Sequence, residues 1–231
     1  MLIGGLQKFS LLDYPEKIST IIFTHGCNFR CAFCYNPTLV NTKTKDDIFI
    51  SEKDFFIFLK SRIKKIDAVV ISGGEPTMQD DLEKFISKIK KLKFLVKLDT
   101  NGTNPEILKN LISKKLIDYI AMDVKAGLKN YEKVVKVKIN QKKIKESIDI
   151  IMNAGLPYEF RTTVVPGLVK KDDILQIGKL ITGAQKWFLQ KFKSDIDLVD
   201  KSFYQKKSFT DQEMIKMKKT GEKYVQICKI R

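Results

Sequence analysis

Arginine is nearly missing from this chain. Only four of its 43 basic residues are arginine: Arg30, Arg62, Arg161 and Arg231. Recognition of bases and phosphates favours the planar guanidinium fork. A net charge of +16 carried almost wholly by lysine therefore speaks against dedicated nucleic-acid readout. The lysines run through nearly every helix-like stretch, as in KSRIKK, KIKKLK and KVKINQKKIK, which is the pattern of a solvated surface. Docking of an acidic partner or of nucleic acid is the sharper, less favoured alternative. Long apolar runs are also missing. None approaches the roughly 20 residues of a membrane helix, so no membrane association is expected. The opening MLIGGLQKFSLLDYPEK has too short an apolar stretch for a secretory signal and lacks a cleavage site. A cytoplasmic location is the expectation. There is no low-complexity tract and no Gly/Ser-rich linker. Four cysteines, three of them crowded, make no disulfide framework; in a reducing compartment such crowding points to metal.

What is present alternates. Runs rich in Val, Ile, Phe and Tyr, only partly alternating in polarity, predict strands at 18–24, 67–72, 94–100, 117–124, 158–165 and 186–190. Helices are predicted between them at 51–64, 79–91, 104–114, 141–154 and 172–182, with a last one near 210–227. Ser51 is placed to cap one helix, Asn104–Pro105 to open another, and Gly155 to stop a third. Six strand–helix alternations predict parallel βαβ units. A full eight-unit barrel takes about 250 residues, so the expectation is an incomplete (β/α)6 barrel, TIM-like and open on one side. Residues 1–231 are read as one domain, with an irregular or helical extension from about 191. The stretch 126–140 gives the weakest signal.

The polar motifs fall at the carboxyl ends of these strands, where such folds build their sites. GCNFRCAFCYN (26–36) follows the first strand and SGGEPT (72–77) the second. DTNG (99–102) ends the third, MDVK (122–125) the fourth, and RTTVVPG (161–167) runs through the fifth. Thiolates of Cys27, Cys31 and Cys34 select zinc, copper(I) or an iron–sulfur cluster. Structural zinc needs a fourth ligand, for which the choices are His25 and distant Cys228. His25 is more simply a strand-end residue, and Cys228, placed near the end of the last helix, a small buried apolar one. On a 4Fe–4S cube, three thiolates leave one iron open to an outside ligand.

The Cys-x3-Cys-x2-Cys spacing, with aromatic Phe33 before Cys34, resembles the signature of the radical S-adenosylmethionine superfamily. Gly73, Gly74 and Glu75 resemble its second motif. The resemblance implies that the three cysteines hold a 4Fe–4S cluster whose fourth iron is chelated by S-adenosylmethionine. The reduced cluster would then cleave that molecule to a 5′-deoxyadenosyl radical, which takes a hydrogen atom from a substrate. The finer likeness is to activating enzymes of glycyl-radical enzymes, above all those of the anaerobic (class III) ribonucleoside-triphosphate reductase. It rests on GLQKFSLLDYPEKISTIIFTHGCNFRCAFCYNP, ISGGEPT, LDTNG and AMDVK.

That likeness implies cofactor contacts from Phe33, Asn36, Gly73, Gly74, Glu75 and Lys125. It also implies a monovalent cation site at Asp99, Thr100 and Asp123. Asp13 and Arg161 would grip the partner's glycine-bearing loop. A flavodoxin or ferredoxin would supply electrons. Bland readings stand beside these: Asp99 as a turn residue, Arg161 with Asp123 as a structural ion pair. Three positions depart from the family: Glu16 where Gly is common, His25 where Gln is frequent, and Tyr35 where His is common. The alternatives are an activator of the pyruvate formate-lyase type, a radical enzyme acting on RNA or a peptide, and, last, a zinc-stabilised binding module.

Overall fold

The computed structural model describes residues 1–40 and 49–231. Contact density divides the chain into two compact units. The first comprises Met1–Asn28, Thr38–Thr100 and Glu106–Ile120; the second comprises Phe29–Pro37, Asn101–Pro105 and Ala121–Arg231.

In the first unit β1 (Ile3–Ser10) pairs antiparallel with β2 (Ser19–Thr24). Parallel to β2 run β3 (Ala68–Gly73) and then β4 (Leu95–Thr100). The sequence Ala68–Ile71 is fully buried, as a parallel strand covered on both faces should be. α2 (Glu52–Ser61) and α3 (Leu82–Lys91) belong here, as do α1 (Pro37–Val40) and α4 (Pro105–Ser113) apart from their first residues. In α3, Leu82, Phe85, Ile86 and Ile89 are buried, the spacing of one helical face. Phe85 stacks on Phe55 of α2 with ring centroids 5.4 Å apart. Ser51 caps α2 by accepting from the Asp54 N–H at 3.1 Å, as its place in the sequence predicts. Pro105 opens α4.

β5 (Tyr119–Asp123) begins in the first unit and ends in the second. The second unit then carries α5 (Tyr131–Val135), α6 (Gln141–Met152) and β6 (Tyr158–Val164). There follow α7 (Lys171–Leu180), β7 (Lys186–Lys191), α8 (Asp211–Gly221) and β8 (Ile227–Ile230). β6, β7 and β8 pair in parallel. Trp187, fully buried on β7, satisfies its indole N–H by donating to Thr162 Oγ1 on β6 at 3.0 Å.

All six predicted strands are present, as β2 to β7. Two more were not expected. β1 contains Gly4 and Gly5 and shows no alternation. β8 is only four residues long. Cys228 consequently lies within β8 and not at the end of the last helix, which stops at Gly221. It is buried, and burial first of all pushes its thiol up to about 11. The weak stretch 126–140 yields the short α5. No helix among the described residues is long and apolar enough to cross a membrane.

Candidate active site

In the first unit, the chain leaves β2 through His25 and Gly26 and leaves β3 through Gly73, Gly74 and Glu75. These two exits are bonded to each other. The Gly74 N–H donates to the Thr24 carbonyl and the Glu75 N–H to the Gly26 carbonyl, both at 2.8 Å. The contact is too close for side chains. A Cβ on Gly74 would lie 2.0 Å from the Gly26 oxygen, and one on Gly73 would lie 2.3 Å from the Thr24 nitrogen. Gly73 also has φ +115. The chain's own packing therefore demands both glycines.

Glu75 is buried and ties strand ends together. Its Oε1 accepts from the Thr77 N–H at 3.1 Å, the Thr77 hydroxyl at 2.6 Å and the Thr100 hydroxyl at 2.7 Å. These contacts hold the loop. Asp99, at the end of β4, pairs with Lys97 at 3.1 Å. Lys97 also donates to the Asp13 carbonyl at 2.6 Å. The Asp13 carboxylate is engaged by the Ser10 hydroxyl within a tight turn. Buried His25 packs edge-on against Phe49, with ring centroids 5.1 Å apart, and its backbone N–H donates to the Leu2 carbonyl at 3.1 Å.

In the second unit, the loop after Phe29 carries Cys31 and Phe33, both buried, and Cys34, half-buried. The Cys34 N–H closes a turn on the Cys31 carbonyl at 3.1 Å. The loop is held from far along the sequence. The Arg30 N–H donates to the Val135 carbonyl at 2.9 Å. The Asp200 N–H donates to the Ala32 carbonyl at 2.9 Å, and the Val199 N–H to the Cys34 carbonyl at 3.2 Å. Tyr35, the aromatic that departs from the family pattern, accepts from the Lys193 N–H at 2.9 Å and stacks on Phe192. Asn36 is half-buried beside it in sequence. The stretch after 190, expected to be an irregular excursion, is thus a brace for the cysteine loop.

Asp123, Lys125 and Arg161 come together. Asp123 Oδ1 accepts from Arg161 Nε at 2.9 Å and Oδ2 from Lys125 Nζ at 3.1 Å. Burial opposes ionisation of Asp123, but Arg161 and then Lys125 outweigh it and hold the carboxyl well below the usual range. For Lys125 burial again works against charge. Asp123, then Cys31, and also Cys34 overcome it and raise the ammonium above its ordinary value. The cysteine loop thus contributes to keeping Lys125 cationic. Cys27 belongs to the first unit and is half-buried. Among the described residues, no three His, Cys, Asp or Glu side chains gather closely enough to share one metal ion.

The sequence reading passed over Lys97, Thr77, Val199 and Asp200. Only Lys97 left a usable signal: a lysine inside the apolar run FLVKLDT, two residues before Asp99 and so on the same strand face.

An α/β chain with a three-cysteine loop after β2 and a glycine-rich turn after β3 is the layout of a cofactor-bearing partial barrel. Residues 21–180 match the family model of the radical SAM superfamily, and the chain belongs to it. A Methanocaldococcus jannaschii protein provisionally named a glycyl-radical enzyme activating enzyme is 36% identical over 239 residues, covering 100% of this chain and 95% of its own. The pyruvate formate-lyase-activating enzyme of Streptococcus mutans is 26% identical over 197 residues, 78% of this chain and 72% of its own. Among solved structures, Streptococcus suis SuiB bound to S-adenosylmethionine superposes with a TM-score of 0.66 at 14% identity. That match covers 88% of this chain and about half, 48%, of SuiB. A domain of the Bacteroides vulgatus pyruvate-formate lyase-activating enzyme matches with TM-score 0.55 at 12% identity, over 70% of this chain and 98% of its own. The fold class is that of the incomplete (β/α)6 barrels with an open parallel sheet, as expected.

Proposed function

We propose that this enzyme activates a glycyl-radical enzyme, and that its partner is an anaerobic ribonucleoside-triphosphate reductase. The observation that carries the first half is the full-length likeness to an activating enzyme of that kind, together with an intact three-cysteine loop. The partner rests on the motif pattern of residues 1–36. An activator of the pyruvate formate-lyase type is the second reading, favoured by the Streptococcus mutans relative.

The donor set fits a cubane cluster. Thiolates are the ligands such clusters take. Cys27, Cys31 and Cys34 would hold the 4Fe–4S cluster. When bound and reduced, the cluster supplies the one electron that splits a carbon–sulfur bond of S-adenosylmethionine. The chain's own residues bind and orient. Lys125, kept cationic by Asp123, would meet the cofactor's carboxylate. Glu75 holds the turn whose Gly73–Gly74 backbone offers carbonyls to an ammonium. Asn36 and Phe33 would contact the nucleoside end. Arg161 and Asp13 would receive the partner's loop. A flavodoxin or ferredoxin would reduce the enzyme, in the cytoplasm.

The test is anaerobic reconstitution followed by incubation with the reductase. The expected result is equal iron and sulfide, S-adenosylmethionine cleavage, and a glycyl-radical doublet in electron paramagnetic resonance. A doublet only on pyruvate formate-lyase would transfer the assignment to the second reading. One zinc per chain and no iron would end both.

A further inference from the structure

The first unit contains a lysine that is hard to account for as surface. Lys97 sits in the middle of β4 with its side chain only 3% exposed. Its ammonium meets the Asp99 carboxylate at 3.1 Å and the Asp13 carbonyl at 2.6 Å. It also lies 5.7 Å from the centre of the Tyr119 ring. Two oxygens and an aromatic face are what a desolvated monovalent cation would seek. β4 places Lys97 and Asp99 on one face, because side chains two apart on a strand point the same way.

The residues expected to bind a diffusible cation are otherwise engaged. Asp99 has Lys97. The Thr100 hydroxyl donates its proton to Glu75. Asp123 has Arg161 on one oxygen and Lys125 on the other. Each carboxylate is thus answered within its own unit, Asp99 by Lys97 and Asp123 by Lys125 and Arg161. An added sodium or potassium ion beside Asp99 would meet a carboxylate whose charge Lys97 already matches, so this end of β4 does not fit the ion.

We propose that Lys97 is a built-in cation that does beside Asp99 what a sodium or potassium ion would do, so that this chain binds S-adenosylmethionine without a monovalent ion. The proposal rests on the radical-enzyme reading above for its cofactor, though not for its electrostatics.

The experiment compares wild type and Lys97→Met in KCl, NaCl and choline chloride at equal ionic strength. Equilibrium dialysis of the reconstituted enzyme gives the S-adenosylmethionine Kd. Wild type should show the same Kd in all three salts. Lys97→Met should bind about tenfold more weakly in choline chloride, as a buried carboxylate loses its partner, and should recover in KCl or NaCl. Lys97→Arg, which keeps the charge, should stay blind to the ion. A second arm needs no cofactor. The thermal midpoint of Lys97→Met should rise in KCl over choline chloride, as for any ligand that binds only the folded chain, while wild type should not distinguish them. If Lys97→Met does not fold, Lys97→Gln carries the same comparison, since it keeps a donor for the Asp13 carbonyl. A wild-type Kd that tightens tenfold on adding potassium overturns the proposal, as does a Lys97 variant that ignores the ion in both arms. Ion-dependent midpoints with no S-adenosylmethionine binding by any variant would instead overturn the cofactor reading and leave Lys97 its role.

Discussion

Replacing Asp123 by asparagine keeps the shape of the side chain and removes one charge. Arg161 at 13% and Lys125 at 17% side-chain exposure then lose the carboxylate they share. Removing one member of a buried ion pair costs about 3–5 kcal/mol. Partial exposure, and the amide oxygen still open to Arg161 Nε, place this case near the lower end, about 3 kcal/mol. A chain of this size loses about 2–4 °C per kcal/mol, so the midpoint should fall by about 6–12 °C. Circular dichroism melts at pH 7 measure it. The pH dependence gives an independent check. Asp123 is held below its ordinary range, so above about pH 3.9 both folded and unfolded chains carry the ionised form and its contribution is complete. As pH falls further, the unfolded chain takes up its proton first and the contribution is lost. The gap between wild type and Asp123→Asn should therefore be flat from about pH 5 to 8 and close below about pH 4. A midpoint within about 1 °C of wild type, a gap that widens in acid, or losses that simply add in the double variant with Arg161→Met would refute the reasoning.

Two further outcomes follow from close contacts. Gly74→Ala should cost about 2–3 kcal/mol in urea unfolding, because its Cβ would meet the Gly26 carbonyl oxygen at 2.0 Å and neither backbone can yield; an unchanged midpoint would show that the two loops are not locked. Arg231→Ala should cost about 2 kcal/mol after allowance for the arginine's 39% exposure, since buried Glu159 loses a two-pronged partner at 3.0 and 3.2 Å. Arg231→Lys should recover less than half of that loss, lacking the planar fork.

The alternation of apolar runs made β2 to β7 legible, because strands covered on both faces cannot hide their composition. β1 escaped because Gly4 and Gly5 interrupt it. Helix ends were hard to place for a different reason. Left-handed residues that usually call for glycine are here lysines, Lys64, Lys93 and Lys115, each with φ between 53 and 65 after α2, α3 and α4. In a chain so rich in lysine they leave no mark. At the strand ends, the cysteine loop after β2, the Gly-Gly-Glu turn after β3 and the Asp123–Arg161 pair could be placed from motif and position. Their supports could not. Thr77 and Thr100 serve Glu75 by geometry alone, and Val199 and Asp200 act through backbone N–H groups that any residue but proline would supply.

The long reach of those last two donors bears on how the protein is made. The carbonyls of Ala32 and Cys34 find their partners some 165 residues later, at Asp200 and Val199. A nascent chain still short of that point on the ribosome exposes its thiols on a loop whose polypeptide partners have yet to be translated. Iron and sulfide delivered then would meet a segment that still lacks this clasp.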